Sequence, residues 1–390
     1  MFKRILKAQI EKKLFQGEVI ILYGARQVGK TTLVKEIVNE FADKAVYFDC
    51  DLIRNREIFE KQDEIEFKKV IGDKKLVVLD EAQRILNIGL NLKIMHNYLK
   101  DVQVIATGSS SFDLSNKINE PLTGRAVEFM LPPLSIEEIM QKYDYMIMKT
   151  QLNNVLRFGS YPNIFDRNEE EAREKLDFIV SNYLYKDILQ FEDLKKSDKI
   201  IDILRLLAFQ VGSQVSYNEI GNRLKISSIT VEKYIDLLEK SFIVFRLHSL
   251  NRNLRNEIGK AVKIYFWDLG IRNSLIQNFN DIELRNDIGQ LFENFCIAER
   301  LKYNENNRKF VNTYFWRTYE QKEIDLIEEE AGVLKAFEFK YNEKRKYKKP
   351  MQFFETYKNS SLEIICKENY LEFLLSRHNE VVDKFTNTCH

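Results

Sequence analysis

The chain has 390 residues, of which 44% are hydrophobic and 31% charged, so it is long enough for two or three domains and too apolar to be disordered. The 60 Lys and Arg residues nearly balance the 59 Asp and Glu residues, and this net charge of +1 excludes a global attraction to nucleic acid. Four scattered cysteines without a CxxC pair argue against a zinc site, and no apolar run approaches the length of a membrane span. With a charged rather than signal-like segment at residues 1–17, the sequence predicts a cytoplasmic protein without a membrane partner.

The first motif, at residues 24–31, matches the P-loop pattern G-x-x-x-x-G-K-[ST]. A β-branched, strand-like run precedes it, and residues 31–41 follow with apolar side chains on one helical face. Gly24 and Gly29 let the backbone turn its N–H groups toward phosphates, Lys30 can reach the β- and γ-phosphates, and the Thr31 hydroxyl can ligate Mg²⁺. The predicted nucleotide-binding residues of the loop are Gly24, Ala25, Arg26, Gln27, Val28, Gly29, Lys30, Thr31 and Thr32.

Strand-like and helical segments then alternate, which predicts a doubly wound, mostly parallel α/β sheet with helices on both faces. The predicted strands are 45–49, 75–80, 102–107 and 126–131, and the clearest helix is 90–100. The third strand of the sheet ends in Asp80-Glu81, at the edge where a parallel sheet presents its ligands. We expect Asp80 to hold Mg²⁺ through its water shell and Glu81 to orient and deprotonate the attacking water; an ordinary helix cap is the alternative.

Two further residues of this part are candidates for the nucleotide site. Thr107 ends the next strand, where it would sense the γ-phosphate or the attacking water, although residues 107–111 also suit an ordinary polar turn. Arg125 would supply positive charge to a neighbouring subunit's nucleotide or to its own. Ser135 and Glu138 form the pattern of a capping box, which is a structural feature.

The middle of the chain predicts a helical lid or linker followed by a winged helix. Residues 199–250 contain a helix, a short helix, a third helix at 227–240 and a strand. We expect the core side of the third helix to carry Ile229, Tyr234, Leu237 and Leu238. The helix mixes acidic and basic residues, which disfavours sequence-specific DNA reading and leaves DNA contact and protein docking both open. Phosphate contacts nearby are predicted for Arg246, Arg252, Arg255, Lys260 and Lys263.

The last hundred residues carry a second set of acidic residues. A predicted helix at 290–301 precedes predicted strands at 310–316, 323–327 and 333–340. Alternation along the strands brings Glu323 and Asp325 to one face, and likewise Glu338 and Lys340. Carboxylates on adjacent strands can hold Mg²⁺ beside a lysine that stabilises phosphate charge, with Glu293 as a further ligand. Cross-strand salt bridges on a solvated face are the alternative, and the basic run at 344–349 suits either a nucleic-acid backbone or a solvated loop.

The order of these parts resembles a large bacterial and archaeal family of AAA+-type ATPases with a P-loop domain, a winged helix and a C-terminal PD-(D/E)XK nuclease-like domain. The resemblance rests on residues 24–31, 76–81, 107–110, 124–125, 161–162, 263–270, 293–295, 315–317, 323–325 and 338–340. It implies ATP binding and hydrolysis at the first site and a nuclease-like centre at the second. In that centre Asp325 matches the motif's Asp, Glu338 and Lys340 match its E-x-K, and Glu293 joins them. Ile324 precedes Asp325 instead of Pro, and Lys186-Asp187 stands where Arg-Asp is expected.

The predicted division is 1–148 for the AAA+-type P-loop domain, 149–195 for the lid or linker, 196–285 for the winged helix and 286–390 for an α/β restriction-endonuclease-like domain. The predicted function is a Mg²⁺-dependent ATPase coupled to a DNA-binding or nuclease-like module, with ATP and Mg²⁺ as cofactors. The alternative is an ATP-dependent switch whose C-terminal domains bind a protein or nucleic-acid partner without cutting. A transcription regulator using only the winged helix is disfavoured by the acidic third helix, and the oligomeric state stays open.

Overall fold

A computed structural model describes residues 2–109, 122–184, 197–250, 261–318, 322–342 and 349–375. Two sheets organise these residues, one within residues 19–130 and one within residues 244–365. Within the described ranges, no helix is long and apolar enough to cross a membrane.

The first sheet is parallel throughout, as the alternation of strands and helices predicts. Its strands are β1 (Val19–Tyr23), β2 (Ala45–Asp49), β3 (Leu76–Asp80), β4 (Gln103–Gly108) and β5 (Ala126–Met130). They lie in the order β2-β3-β4-β1-β5. β1, β3 and β4 are buried along their whole length, because helices cover both faces and the strands carry continuous apolar runs. The carboxyl ends of β1, β3 and β4 therefore meet at one edge of the sheet.

The helices of this part are α1 (Leu6–Glu11), α2 (Lys30–Phe41), α3 (Ile53–Glu60), α4 (Glu64–Ile71) and α5 (Ile88–Tyr98). Helix α2 follows the P-loop directly and buries Leu33, Val34 and Ile37, the face that the sequence spacing predicts. The P-loop is thus held between a buried strand and a helix anchored in the core.

The middle of the chain is helical. Its helices are α6 (Ile136–Ile139), α7 (Tyr145–Phe158), α8 (Glu169–Phe178), a π-helical turn (Ile179–Leu184), α9 (Ser197–Phe209), α10 (Tyr217–Leu224) and α11 (Ser228–Lys240). Helix α11 buries Tyr234, Leu237 and Leu238 as predicted. The expectation for Ile229 is wrong, since its side chain is 77% exposed. Ile229 lies in the first turn after the Ser227 cap, before the helix reaches the core.

The second sheet joins two predicted domains. Its strands are β6 (Val244–Ser249), β7 (Val262–Phe266), β8 (Asn312–Arg317), β9 (Glu323–Glu330), β10 (Val333–Phe339) and β11 (Ser360–Ile365), in the order β11-β10-β9-β8-β6-β7. The hairpin β6–β7 follows α9–α11, yet β6 pairs in parallel with β8 through His248–Tyr314 and Ser249–Phe315. The hairpin and the C-terminal strands therefore form one sheet across the predicted boundary at 285–286.

The remaining helices are α12 (Leu269–Leu275), α13 (Ile288–Asn306), α14 (Met351–Thr356) and α15 (Tyr370–Leu375). Helix α13 is the longest described helix, with 19 residues, and most of them are buried. It packs against the strands β7 and β10 of the second sheet and against the helices α1, α7 and α15. One hydrophobic core runs without a break from Leu6 and Val28 to Phe295 and Phe339. Helix α13 thus connects the two sheets.

Candidate functional sites

Two positions of the P-loop adopt backbone conformations that favour glycine. A Cβ on Gly24 would lie 2.3 Å from the carbonyl oxygen of Leu131, so only glycine fits there. Gly29 has φ of 102°, a left-handed conformation that glycine adopts without strain, and it begins α2. The positive end of the α2 dipole consequently faces the concave side of the loop.

Lys30 lies over the loop in the structure. Its Nζ donates to the carbonyl oxygens of Gly24 at 2.8 Å and Ala25 at 3.0 Å, and the residue is buried. Both acceptors belong to the loop itself, so the ammonium lies within reach of an anion that the loop would enclose. Ala25 and Val28 are buried, Arg26 and Gln27 are half-buried, and Thr32 is exposed.

Asp80 is the centre of a polar cluster at the edge of the sheet. Its Oδ2 accepts from the Thr31 hydroxyl at 2.7 Å and the Tyr47 hydroxyl at 2.6 Å. Its Oδ1 accepts from the Thr107 hydroxyl at 2.5 Å. The structure therefore brings together Thr31, Asp80 and Thr107, which lie far apart in sequence. A hydroxyl and a carboxylate side by side on the phosphate side of a P-loop fit Mg²⁺, which prefers oxygen ligands and keeps several waters.

Glu81 adopts a strained backbone conformation directly after β3. Its φ of 53° and ψ of 43° are left-handed, which costs a non-glycine residue about 1 kcal/mol or more. Its N–H donates to the Thr107 hydroxyl at 3.0 Å, and its Oε2 accepts from Gln83 Nε2 at 2.5 Å. Gln83 Nε2 also lies 3.2 Å from Ser109 Oγ. Two hydrogen bonds thus fix the backbone and the carboxylate of Glu81.

Arg125 lies at the opposite edge of the same sheet. It immediately precedes β5, where Ala126 pairs with Val19 at the start of β1, whereas Met130 pairs with Tyr23 beside the P-loop. Five strand residues span about 16 Å. This spacing disfavours a role for Arg125 at its own nucleotide, and both alternatives, its own nucleotide and a neighbouring subunit's, stay predictions.

Arg4 is a site residue that the sequence analysis missed. Its guanidinium is buried and donates from Nη1 to the carbonyl oxygen of Val28, within the P-loop, at 2.6 Å. Nothing in the sequence distinguishes Arg4 from the other basic residues of the first 17, because its partners lie more than 20 positions away.

The predicted acidic residues of the C-terminal part lie in a second cluster. Glu293 comes from α13, Asp325 from β9, and Glu338 from β10, which ends just before Lys340. Asp325 Oδ2 accepts from the Phe339 N–H at 2.9 Å, and Lys340 Nζ donates to Glu338 Oε1 at 2.5 Å. The expected pairing of Glu338 with Lys340 on one face is confirmed.

Lys263 occupies the interior of this cluster. Its side chain is 1% exposed, its Nζ lies 3.0 Å from Glu293 Oε1 and 4.0 Å from Asp325 Oδ1, and it also pairs with Glu323. The prediction that Lys263 contacts a nucleic-acid phosphate is therefore wrong, since the ammonium is buried among carboxylates. The shared partner confirms that Glu323 and Asp325 face the same side. The sequence carries a signal for this placement of Lys263, because alternation along β7 puts Lys263 and Tyr265 on one face of the strand. The Tyr265 hydroxyl also donates to Glu293 Oε1, at 2.6 Å.

Burial shifts the pKa values of the cluster. It raises the pKa of Glu293 to about 7 and of Glu338 to about 8, and the nearby charge of Asp325 adds to both shifts. The pKa of Asp325 is also raised by burial, against the pull of Lys263 and Lys340. Burial works to lower the pKa of Lys263, but Glu293, Asp325 and Glu323 outweigh it, so that the pKa lies above its ordinary value. The carboxylates of the cluster thus have the Lys263 ammonium as their counter-charge.

A metal ion does not fit all three predicted ligands in this arrangement. Glu338 Oε2 is buried without a hydrogen-bond partner in the described structure, which suits an ion beside Glu338 and Asp325. Glu293, however, is engaged by Lys263 and Tyr265. Among the described residues, no group of three or more His, Cys, Asp or Glu side chains is arranged to hold a metal ion. For Glu293 to become a ligand, the Lys263 ammonium would have to move.

The predicted basic contacts of the middle region are largely absent where the structure describes them. Arg246 is paired with Asp236 and, at 2.5 Å, with Glu239, so the prediction that it contacts phosphate is wrong for this arrangement. Three other residues predicted to contact phosphate, Arg252, Arg255 and Lys260, lie outside the described residues. The same holds for Lys186-Asp187, for Ser110-Ser111 and for residues 344–348 of the basic run.

Three families match successive parts of the chain. Residues 16–140 match the family described as "AAA domain", and residues 149–282 and 288–383 match two described as "Domain of unknown function", DUF8612 and DUF4143. The first match supports a P-loop ATPase of the AAA type, in agreement with the parallel sheet and the geometry at Lys30 and Asp80. Neither of the other two descriptions carries an activity.

Similar proteins come from archaea and bacteria. An uncharacterised protein of Methanocaldococcus jannaschii is 26% identical over 70% of this chain, and the match spans 65% of that relative's own length. An uncharacterised protein of Mycobacterium tuberculosis is 24% identical over 87% of this chain and 74% of its own. Among solved structures, a Walker-type ATPase of Pyrococcus abyssi superposes with a TM-score of 0.49 at 17% identity, covering 71% of this chain and 96% of that one.

Proposed function

We propose that the chain is a Mg²⁺-dependent ATPase whose hydrolysis cycle acts as a switch for its C-terminal half. The observation that carries the ATPase is the convergence of Lys30, Thr31, Asp80 and Glu81 at the carboxyl edge of a parallel sheet. The Thr31 and Asp80 oxygens are joined by a 2.7 Å hydrogen bond, and Glu81 follows Asp80 directly. Phosphoryl transfer depends on positioning and charge stabilisation, which this set of residues supplies.

Each residue has a distinct part in the proposed reaction. The Lys30 ammonium leaves the Gly24 and Ala25 carbonyl oxygens for the β- and γ-phosphate oxygens, whose negative charge binds it more strongly. Thr31 and Asp80 would hold Mg²⁺, which neutralises phosphate charge when bound. The Glu81 carboxylate accepts a proton from water as the water oxygen bonds to the γ-phosphorus and the bond from that phosphorus to the β–γ bridging oxygen breaks, which releases ADP. Thr107 fixes the Glu81 backbone from the neighbouring strand.

For the C-terminal half, a switch without cutting is favoured over a nuclease. Lys263 is 1% exposed and pairs with Glu293, Glu323 and Asp325 from within, so these carboxylates already have a cation as their partner. The nuclease alternative keeps one supporting observation, the unpartnered Glu338 Oε2 near Asp325, with Lys340 beside it. A partner that binds the C-terminal half, whether protein or nucleic acid, is part of the proposal.

The test is ATP hydrolysis by the purified chain with Mg²⁺, comparing the wild type with Lys30→Ala. We expect turnover by the wild type and a loss of about 10²-fold or more in Lys30→Ala, because phosphate charge loses its lysine. Lys69→Ala is the matched control, since Lys69 is an exposed lysine of α4 and should leave turnover unchanged. Equal turnover in Lys30→Ala and wild type would refute the proposal.

The same reactions, repeated with duplex and single-stranded DNA, separate the switch from the nuclease. The switch predicts intact DNA in the presence of Mg²⁺ or Mn²⁺, with or without ATP. Cleavage by the wild type that disappears in Lys340→Ala would instead establish the nuclease and overturn the switch.

A further inference from the structure

Arg4 binds the P-loop from outside the matched AAA domain. It lies in the N-terminal segment before α1 and directs each side of its guanidinium at a different partner. Nη1 donates to the Val28 carbonyl oxygen at 2.6 Å, Nη2 to the Pro132 carbonyl oxygen at 2.7 Å, and Nε to Glu138 Oε1 at 2.9 Å. All three bonds are buried, where a charge-assisted hydrogen bond is strong and its loss is costly.

The bond to Val28 fixes a peptide group that a phosphate would contact. A trans peptide is planar, so the C=O of Val28 and the N–H of Gly29 point in opposite directions. Because Arg4 holds the Val28 carbonyl, the Gly29 N–H is directed away from the Arg4 guanidinium. That N–H belongs to the set of backbone donors that enclose phosphate oxygens in a P-loop. Arg4 thereby fixes one donor of the phosphate site without touching the nucleotide.

Glu138 continues the contact to the segment before α6. Its Oε1 also accepts from the Ile5 N–H at 3.0 Å, and its Oε2 accepts from the Ser135 N–H at 3.1 Å. The Ser135 hydroxyl in turn accepts from the Glu138 N–H at 3.2 Å, which closes the predicted capping box. The box that the sequence analysis treats as a helix cap therefore also holds Arg4.

Helix α13 holds the other side of this segment. Asn306 Nδ2 donates to the Ser135 hydroxyl at 3.1 Å, and Glu299 Oε2 accepts from the Ile136 N–H at 2.7 Å. Lys302 Nζ donates to the Leu134 carbonyl oxygen at 3.1 Å. Glu293 of the acidic cluster lies on the same helix, 13 residues or about 20 Å from Asn306. Buried polar contacts thus lead from the P-loop to the C-terminal part of α13, and the helix itself continues to Glu293 of the second cluster.

We propose that Arg4 is a positioning residue for the nucleotide phosphates and that, through Glu138 and Ser135, it couples occupancy of the P-loop to helix α13. The inference rests on the proposed function for its ligand, a nucleoside di- or triphosphate. It adds the residue that orders the loop and the route by which the C-terminal half senses the nucleotide. A ligand that pulls the Gly29 N–H inward acts on the same peptide that Arg4 holds, so strain at either end reaches the other.

The experiment measures MgADP binding to the full chain with a fluorescent ADP analogue, in wild type, Arg4→Gln, Arg4→Lys and Glu138→Gln. We expect Arg4→Gln to raise the dissociation constant about tenfold or more, and Arg4→Lys to restore part of the loss, because lysine keeps the charge without the fork. At saturating ATP, kcat should stay near the wild-type value while KM rises, because the Gly29 N–H binds ground state and transition state alike. Lys3→Gln, an exposed position next to Arg4, is the control.

Hydrogen exchange with and without MgADP tests the coupling. In the wild type we expect nucleotide to increase protection at residues 299–306, and in Arg4→Gln we expect that increase to vanish even at saturating nucleotide. Residues 228–240 serve as the reference segment. Wild-type affinity in a folded Arg4→Gln would overturn the positioning role, and retained protection at 299–306 would overturn the coupling.

These outcomes are separable from the failure of the ATPase. A wild-type chain that binds MgADP but hydrolyses no ATP would refute the proposed function and leave Arg4 to be judged by its dissociation constant. A mere folding defect in Arg4→Gln would lower the binding-competent fraction and the melting temperature without changing the affinity of the folded molecules. Arg4→Lys and Glu138→Gln keep the inference testable in that event.

Discussion

Glu81 is a carboxylate residue held in place by its neighbours Thr107 and Gln83. Its backbone is left-handed directly after β3, and Gln83 holds Oε2 at 2.5 Å. Such strain is stable only because Thr107 fixes the Glu81 N–H from β4. A carboxylate constrained in this way is suited to accept a proton at one defined position.

We expect Glu81→Gln to bind MgATP with wild-type affinity and to hydrolyse it about 10² to 10⁴ times more slowly, because the amide cannot accept the proton of the attacking water. The measurement is nucleotide binding beside single-turnover hydrolysis. Glu57→Gln, at an exposed position of α3, is the control. Normal hydrolysis by Glu81→Gln would remove Glu81 as the base and point to another proton acceptor.

At this scale, the sequence predicts the residues that belong to a contiguous motif and misses those that reach it from elsewhere. Lys30, Thr31 and Asp80 follow from spacing, because a P-loop and the end of a buried strand meet at one edge of a parallel sheet. Arg4 contacts Val28, Pro132 and Glu138 through tertiary packing that no local pattern reports. The sequence shows that Lys263 is a basic residue of a strand, but it does not show whether the side chain faces solvent or carboxylates.

Helix α13 begins beside a buried charge cluster whose stability depends on one aspartate. Asp287 Oδ2 accepts from Arg272 Nη1 at 2.6 Å and from Arg285 Nη2 at 2.8 Å, and both arginines are buried. Burial alone would raise the pKa of Asp287, but the hydrogen bonds from Arg285 and the charge of Arg272 hold that pKa below its ordinary value. The ionised carboxylate therefore stabilises the folded state.

We expect Asp287→Asn to lower the free energy of unfolding by about 3 kcal/mol at pH 7, since it leaves two buried guanidinium groups without their carboxylate. The folded-state pKa is depressed, so this stabilisation is present above the unfolded-state pKa of about 3.9 and is lost as the pH falls below it. Urea unfolding of wild type and variant between pH 7 and pH 3.5 should show the difference shrinking toward the acid end. Asp73→Asn, at a 95% exposed side chain, should show none; a pH-independent difference would contradict the account.

The element types of the second half follow from sequence, but their pairing does not. The sequence pattern correctly indicates strands near 312–317, 323–330 and 333–339, although β9 is buried on both faces over residues 324–328. The pairing of β6 with β8 links residues more than 60 positions apart and is set by tertiary packing. The winged-helix interpretation of residues 199–250 stays a prediction, and its strand hairpin belongs to the larger sheet.

At the scale of the whole molecule, α13 links the nucleotide domain to the C-terminal half through its contact with α1, and the shared sheet links the middle of the chain to the same half. The core that begins at α1 and β1 extends through α7, α9 and α13 to β10. Packed cores transmit displacement because they have few voids to absorb it. A change at the P-loop therefore has a structural route to the acidic cluster, whether the partner of the C-terminal half is a protein or a nucleic acid.

The sheet that joins β6–β7 to β8–β10 should unfold as one unit, which native-state hydrogen exchange in rising urea can measure. Phe315 of β8 is fully buried and lies under Lys263 of β7, with 5.5 Å between the ammonium and the ring. Phe315→Ala should lower the opening free energy by about 3 to 5 kcal/mol in β6–β7 as well as in β9–β10, because the cavity opens between them. Val333→Ala, at a 46% exposed side chain of β10, should change neither by more than about 0.5 kcal/mol. If Phe315→Ala weakened β9–β10 alone, β6–β7 would be an independent folding unit, and the route from the nucleotide site would have to run through α13 by itself.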